Sequence, residues 1–327
     1  MAEQNMISLF REKVLHHLDN RFTTKAPESL YEPIAYILDL GGKRMRPVLT
    51  LMSVDVFGGQ IEEALDAALA IEMFHNFSLV HDDIMDDAPL RRGKTTVHEK
   101  WDVNTGILSG DAMLIKSYQF FESYEPTTFK KLISLFSQTA IEVCEGQQYD
   151  VDFETRNDVT IAEYLKMIEY KTAVLVAASL KMGAIISGAS ETDSDAMYRF
   201  GRELGIAFQL QDDFLDAFGD PKTFGKQVGG DIIENKKTIL YLKALEYAAP
   251  EDRAELEKLF SDKPKDIEFK IKRAKEIFEK SGSVDYLKKA IAEYTQKAFI
   301  NLEKISAPEK NKRLLRQFGE ELMNRSI

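Results

Sequence analysis

Ile61 to Ile84 reads IEEALDAALAIEMFHNFSLVHDDI, a single helical pattern that is rich in Ala and Leu at first and acidic at its end. No Gly or Pro interrupts it, and its apolar residues recur at helical spacing, which predicts one long helix. The acidic end continues as His81-Asp82-Asp83-Ile84-Met85-Asp86-Asp87. Residues four apart on a helix lie one turn apart on one face, so Asp82 and Asp86 point the same way. Like charges so placed repel by roughly a few tenths of a kcal/mol, which calls for a cation.

The pattern returns once. Gln211-Asp212-Asp213-Phe214-Leu215-Asp216 closes a second helical stretch, predicted from about Ser194 to Phe218, and places Asp212 above Asp216 in the same way. Ligand sets made only of carboxylate oxygens favour magnesium or manganese over zinc, and magnesium is typically shared between a few carboxylates and substrate phosphates.

Helical periodicity extends in both directions from these two motifs. Leu30, Ile34, Ile37 and Leu38 line one face of a helix that Gly41 and Gly42 stop. Pro47 sits where a first helical turn tolerates it, opening a segment that closes at Gly58 and Gly59. Thr160 and Glu163 have the spacing of a capping box for the next long helix, which runs through Lys171 and a small-residue stretch. After a glycine-rich segment from Gly219 to Gly230, shorter charged amphipathic helices follow. No run of alternating β-branched residues, no low-complexity linker and no period of solenoid length is present, so the expectation is one all-α domain over residues 1–327.

Composition narrows the function. The chain has 327 residues, and 43 Lys and Arg against 54 Asp and Glu give a formal net charge of −11. That balance argues against nucleic acid as the main partner, because binding to a phosphate backbone needs a basic face. The one cysteine, Cys144, excludes an internal disulfide and a thiolate metal site and fits a reducing cytoplasm. The first ten residues, MAEQNMISLF, lack the basic and apolar regions of a signal peptide. The most apolar stretch, Thr172 to Ala189, contains Lys181 and reads as a buried helix, so no stable membrane insertion is expected.

Cations accompany the carboxylates. Gly42-Lys43-Arg44-Met45-Arg46-Pro47 places basic residues beside a helix start, where free backbone N–H groups also attract anions. Arg91-Arg92-Gly93 follows the first aspartate motif, Lys171 lies inside a helix, and Lys226, Lys236 and Lys237 lie in or beyond the glycine-rich segment.

Taken in order, GGKRMRP at 41–47, HNFSLVHDDIMD at 75–86, RRG at 91–93, SGDAML at 109–114, GQQYD at 146–150, YKTA at 170–173, FQLQDDFLD at 208–216 and GKQVGGDIIENKKT at 225–238 resemble the trans-isoprenyl diphosphate synthases of the polyprenyl synthetase family. The resemblance implies a helical bundle around a deep central cavity, usually as a homodimer. It further implies head-to-tail joining of isopentenyl diphosphate to allylic prenyl diphosphates, with about three magnesium ions per active site when substrate is bound. Asp82, Asp83, Asp86 and Asp212 are then expected to ligate magnesium on the allylic diphosphate, with Asp213 and Asp216 supporting them directly or through water. Arg91, Lys171, Lys226 and Lys236 are expected on the allylic diphosphate; Lys43, Arg44, His75 and Arg92 on that of isopentenyl diphosphate. Thr172 and Gln209 resemble the polar groups beside the carbocation. No residue is assigned as a base, since the departing pyrophosphate takes the proton.

In this family the residues before the first aspartate motif set product length. Phe77 and Ser78 occupy those positions. Phe77 lies ~7.5 Å below Asp82 along a helix but roughly 140° around it, so helix geometry alone does not select it. An aromatic there resembles short-chain synthases, which places a C20 product first, C15 next and C25 third. Two rivals share part of the pattern. A class I terpene cyclase has one DDxxD helix but seldom a second such as DDFLD. A non-catalytic modulatory subunit of another synthase tends to have eroded aspartate motifs, and both are intact here.

Overall fold

Helix Leu65–Met85 carries the first aspartate motif and is buried along most of its first half. The computed structural model describes residues 2–220, 228–261 and 266–324. They divide into two compact units, one of Met1–Ser137, Ala178–Asp195 and Ala307–Leu314, the other of Gln138–Ala177, Ala196–Ser306 and Leu315–Ile327. Helices Pro126–Thr155, Val174–Ile186, Glu191–Phe218 and Glu309–Met323 supply residues to both.

In the first unit the helix expected from Ile61 begins one turn later. Ile61–Ala64 form a 3-10 turn and the α-helix follows. The Tyr124 hydroxyl bridges this junction, accepting from the Ala67 amide at 3.1 Å and donating to the Glu63 carbonyl at 2.7 Å. It thereby satisfies two backbone groups that the helix start leaves open. From Ala67 to Phe74 every residue is buried, the carboxylate of Glu72 among them. Helices Met45–Val56 and Val103–Gln119 pack against it. An aromatic cluster fills the space beside it, with Phe136 5.3 Å from Phe74, 4.9 Å from Tyr118 and 5.1 Å from Phe121.

The second unit is also a helical bundle, with Phe214, Leu240, Ile277, Phe278 and Leu287 in its core. The capping box forms as the sequence predicts. Thr160 Oγ1 accepts from the Glu163 amide at 3.2 Å, and Glu163 Oε2 accepts from the Thr160 amide at 2.8 Å. The helix it opens, Ile161–Ile168, does not run on unbroken. Glu169–Ala173 form a π-helical turn, and α-helix resumes at Val174–Ile186. A Cβ at Gly146 would lie 2.2 Å from the Lys171 amide nitrogen, so only glycine lets helix Pro126–Thr155 approach this turn so closely.

The fold is all-α, as expected. Among the described residues the strands are Leu90–Arg91 and Lys94–Thr95, an antiparallel pair turning at Arg92-Gly93, both with positive φ as a tight two-residue hairpin requires. No helix among the described residues is long and apolar enough to cross a membrane.

Candidate active site

Both aspartate motifs stand at helix C-termini. Asp82 and Asp83 are in the last turn of Leu65–Met85 and Asp86 caps it, while Asp212, Asp213 and Asp216 are in the last turns of Glu191–Phe218. The carbonyl end of a helix carries about half a negative charge, which favours a cation over a carboxylate in the last turn. The two motifs also share a burial pattern. Asp82, Asp212 and Asp216 are half-buried and Asp86 is exposed, whereas the middle residues Asp83 and Asp213 are 1% and 5% exposed.

The buried pair is held by protein groups. Arg91 Nε donates to Asp83 Oδ1 at 2.7 Å, and its Nη2 lies 2.6 Å from the same oxygen. Asp83 Oδ2 has no hydrogen-bond partner among the described residues. Asp213 accepts from the Tyr164 hydroxyl and, at 3.2 Å, from Gln209 Nε2. Burial, with the Asp231 carboxylate second, pushes the Asp213 carboxyl well above the ordinary range. Asp83 thus supports Arg91 with one oxygen and keeps the other unspent.

In the first unit the basic motifs converge on the loop at Gly41 and Gly42. Arg92 Nη1 donates to the Gly41 carbonyl, and the guanidinium covers Gly42. Arg46 Nη1 donates to His75 Nε2 at 3.1 Å. Because arginine only donates, that ring nitrogen carries the lone pair and His75 is neutral. Burial first, then the fields of Arg46, Arg92, Arg91 and Arg44, hold its pKa well below the ordinary value. Lys43 is exposed.

Arg44 departs from the expectation that it binds a diphosphate. Its backbone is left-handed at φ 50° and its side chain turns inward, leaving the residue 5% exposed. The guanidinium donates to Glu72 Oε1 and to the Leu38 carbonyl, with Asn76 Nδ2 donating to the same Glu72 oxygen at 2.9 Å. A guanidinium so committed holds the loop in place. Arg46, two residues on, is the cation beside His75, which sequence reasoning missed because both arginines sit in one basic run.

The second unit brings five expected residues, Lys171, Thr172, Gln209, Asp213 and Lys236, to one cavity of about 130 Å³. Lys171 Nζ donates to Asp150 Oδ2 at 2.5 Å, and Thr172 Oγ1 donates to Gln209 Oε1 at 3.3 Å. Lys236 lies 2.9 Å from Glu234 and 3.5 Å from Asp231. Burial lowers its pKa, yet Asp231, Glu234 and Asp150 outweigh that and keep it above the ordinary value. Asp216 Oδ2 accepts from the Asp231 amide at 3.0 Å, tying the aspartate helix to the loop that carries Lys236. Lys226 lies outside the described residues. Tyr164 and Asp150 were missed; Asp150 was visible in GQQYD, whereas nothing local marks Tyr164.

Phe77 is buried between Phe74 at 5.4 Å and the His81 ring at 4.8 Å. His81 is a packing group, as its place beside the motif suggests. Its Nε2 donates to the Ile107 carbonyl at 3.2 Å, and a Cβ at Gly110 would lie 2.3 Å from that nitrogen. Ser78 Oγ donates to the His75 carbonyl at 2.9 Å, on the turn below Asp82.

Residues 27–278 match the polyprenyl synthetase family, and the chain belongs to that family and is a prenyltransferase. It is 37% identical over 311 residues to a geranylgeranyl diphosphate synthase of Methanosarcina mazei, covering 94% of this chain and 93% of that protein. A crystal structure of a geranylgeranyl pyrophosphate synthase superposes with a TM-score of 0.94 at 52% identity, over 98% of this chain and 99% of the other. A geranylgeranyl pyrophosphate synthase from Corynebacterium glutamicum, solved with isoprenyl diphosphate and magnesium, superposes with a TM-score of 0.86 at 26% identity, over 98% of each chain.

His75 gives a pH signature. Unfolded imidazole titrates near 6.5, so below about that pH the unfolded chain binds a proton that the folded chain refuses. Stability from this residue is therefore full above about 6.5 and falls as pH drops toward the lowered folded value. Between about pH 8 and pH 5, the thermal midpoint of the parent should fall more steeply than that of His75→Gln. Parallel slopes would mean that His75 is not held neutral.

Proposed function

We propose that the chain condenses isopentenyl diphosphate head to tail with allylic prenyl diphosphates, using magnesium, and that geranylgeranyl diphosphate is its main product, with farnesyl diphosphate next. The observation that carries this is the repeated placement of carboxylates toward helix C-termini, where a cation is favoured. The donor set is oxygen-only, and the unpartnered Asp83 Oδ2 adds to it, which fits magnesium. Asp82, Asp83, Asp86, Asp212 and Asp216 would hold the ions, about three with substrate bound, and Asp213 would orient its neighbours through Tyr164 and Gln209. When bound, magnesium neutralises the allylic diphosphate and stabilises the charge that gathers on it.

The chain's own residues do the rest. Arg91, Lys171 and Lys236 hold the allylic diphosphate as its C–O bond breaks and the electron pair leaves with pyrophosphate. Thr172 and Gln209 offer oxygen lone pairs to the allylic cation. Lys43, Arg46, Arg92 and the neutral His75 hold isopentenyl diphosphate, whose double bond supplies the electrons of the new C–C bond. The proton then lost goes to pyrophosphate. Helix sharing between the two units supports reading residues 1–327 as one synthase domain. A homodimer is supported by Leu108 and Ile115, about 60% exposed and two turns apart on one face of Val103–Gln119. We place the enzyme in the cytoplasm on the strength of its single cysteine.

Product analysis tests the reading. The purified chain should extend each allylic primer only when isopentenyl diphosphate is present; consumption without it would make the chain a cyclase, and no turnover alone would make it a modulatory subunit. Phe77→Ala should lengthen the main product and Ser78→Phe should shorten it. A tail pressed against a filled floor meets overpacking of about 1–3 kcal/mol, enough to favour release over another condensation. Unchanged length in both variants, read by chromatography of dephosphorylated products, would place the floor on other helices.

A further inference from the structure

His98 lies on the short helix Val97–Lys100, and the residue is 7% exposed. Neither of its ring nitrogens has a hydrogen-bond partner among the described residues. An imidazole always brings at least one N–H, and leaving a buried polar group unpaired costs about 1–3 kcal/mol. The ring does have neighbours suited to another role. One ligating atom each from Asp87, His98 and Glu99 lie within 4.8 Å of one another, and His98 Nε2 is 3.8 Å from Glu99 Oε1.

The backbone holds these residues in place. Thr96 Oγ1 donates to the Ala88 carbonyl at 2.7 Å and the Thr96 amide donates to the Pro89 carbonyl at 3.2 Å, fixing the start of the short helix against the segment that begins at Asp87. Both carboxylates are exposed and free to rotate, whereas the imidazole is not.

We propose that Asp87, His98 and Glu99 form a binding site for a transition-series divalent cation, with zinc the best fit, separate from the magnesium of the aspartate motifs. One imidazole nitrogen and two carboxylate oxygens suit zinc, leaving a fourth position for water. Zinc bonds of ~2.0–2.2 Å bring ligand atoms to roughly 3.4 Å apart, so a contraction of at most about 1.4 Å by the two exposed side chains closes the site. Magnesium, which prefers oxygen donors, gains nothing from the imidazole. A bound ion would clip the end of the helix bearing Asp82 and Asp86 to the segment that follows Arg91 and Arg92, steadying two groups of diphosphate ligands.

The test uses the full chain stripped by a chelator and held in excess magnesium. Zinc is titrated by calorimetry, and cobalt serves as a coloured probe whose visible spectrum reports a nitrogen ligand and low coordination number. One zinc per chain is expected for the parent and for Asp82→Ala, with affinity at least tenfold weaker in Glu99→Gln and in Asp87→Asn. Both substitutions are on exposed residues, and asparagine suits the left-handed backbone at Asp87, so folding is preserved. His98→Gln should abolish the cobalt spectrum. No zinc bound in excess magnesium, unchanged affinity in Glu99→Gln and Asp87→Asn, or loss of binding in Asp82→Ala would each overturn the proposal.

Discussion

Alanine in place of Asp82 or Asp212 is expected to lower turnover about 10³-fold or more, roughly 4 kcal/mol of barrier, while the helical circular dichroism stays unchanged. Each carboxylate lies toward the C-terminus of its helix, where a bound cation is favoured, so its removal should harm the loaded enzyme and leave the helical fold in place. A chelator should reproduce the loss in the parent, and added magnesium should reverse it. Full activity in the chelator would remove the metal from the mechanism. Unfolding of either variant would make these carboxylates structural.

Glu72→Ala should destabilise the first unit by about 3–5 kcal/mol, because it strands the Arg44 guanidinium in the interior. Glu72 Oε1 also accepts from Asn76 Nδ2, which keeps the Glu72 carbonyl as its other acceptor in the variant. Removing both charges is a different matter. A buried ion pair replaced by apolar residues of similar size is often neutral, so Arg44→Met/Glu72→Leu should recover most of the loss. Denaturant midpoints decide the stability question, and the apparent KM for isopentenyl diphosphate decides the role of Arg44. If Arg44 acts through the loop alone, the refolded double variant keeps a near-parental KM; a rise of tenfold or more would return Arg44 to the substrate.

Much of this was legible in the sequence because it depends on local spacing. The stacking of Asp82 on Asp86, the Thr160 capping box and the glycine stops follow from chemistry within one or two turns of helix. Thr172 and Gln209 are singled out by the family resemblance alone, and their pairing at 3.3 Å, 37 positions apart, is not read from the sequence. What was not legible depends on distant partners. Arg44 turns inward because Glu72, 28 positions on, waits there, and the basic run GGKRMRP does not say which arginine will do so. Asp83 and Asp213 look like their neighbours until Arg91 and Tyr164 claim them. The start of helix Leu65–Met85 depends on a tyrosine hydroxyl 57 residues away. The π-helical turn at Glu169–Ala173 hides because its flanks are helical and apolar, so its extra residue leaves no break in the pattern.

That extra residue makes chain length itself a constraint. A π-turn holds one residue more than the α-helix it interrupts, so deleting any single residue between Glu169 and Ala173 would let a continuous α-helix form with every backbone bond satisfied. The gain in regularity would come with a rotation of about 100° between the side chains before and after the deletion. The hydrogen bonds of Lys171 to Asp150 and of Thr172 to Gln209 both start inside this turn and depend on its phase. Substitutions at Glu169 or Tyr170 leave this phase intact. Deletions do not, so functional relatives should keep the length of this stretch even where Glu169 or Tyr170 is replaced.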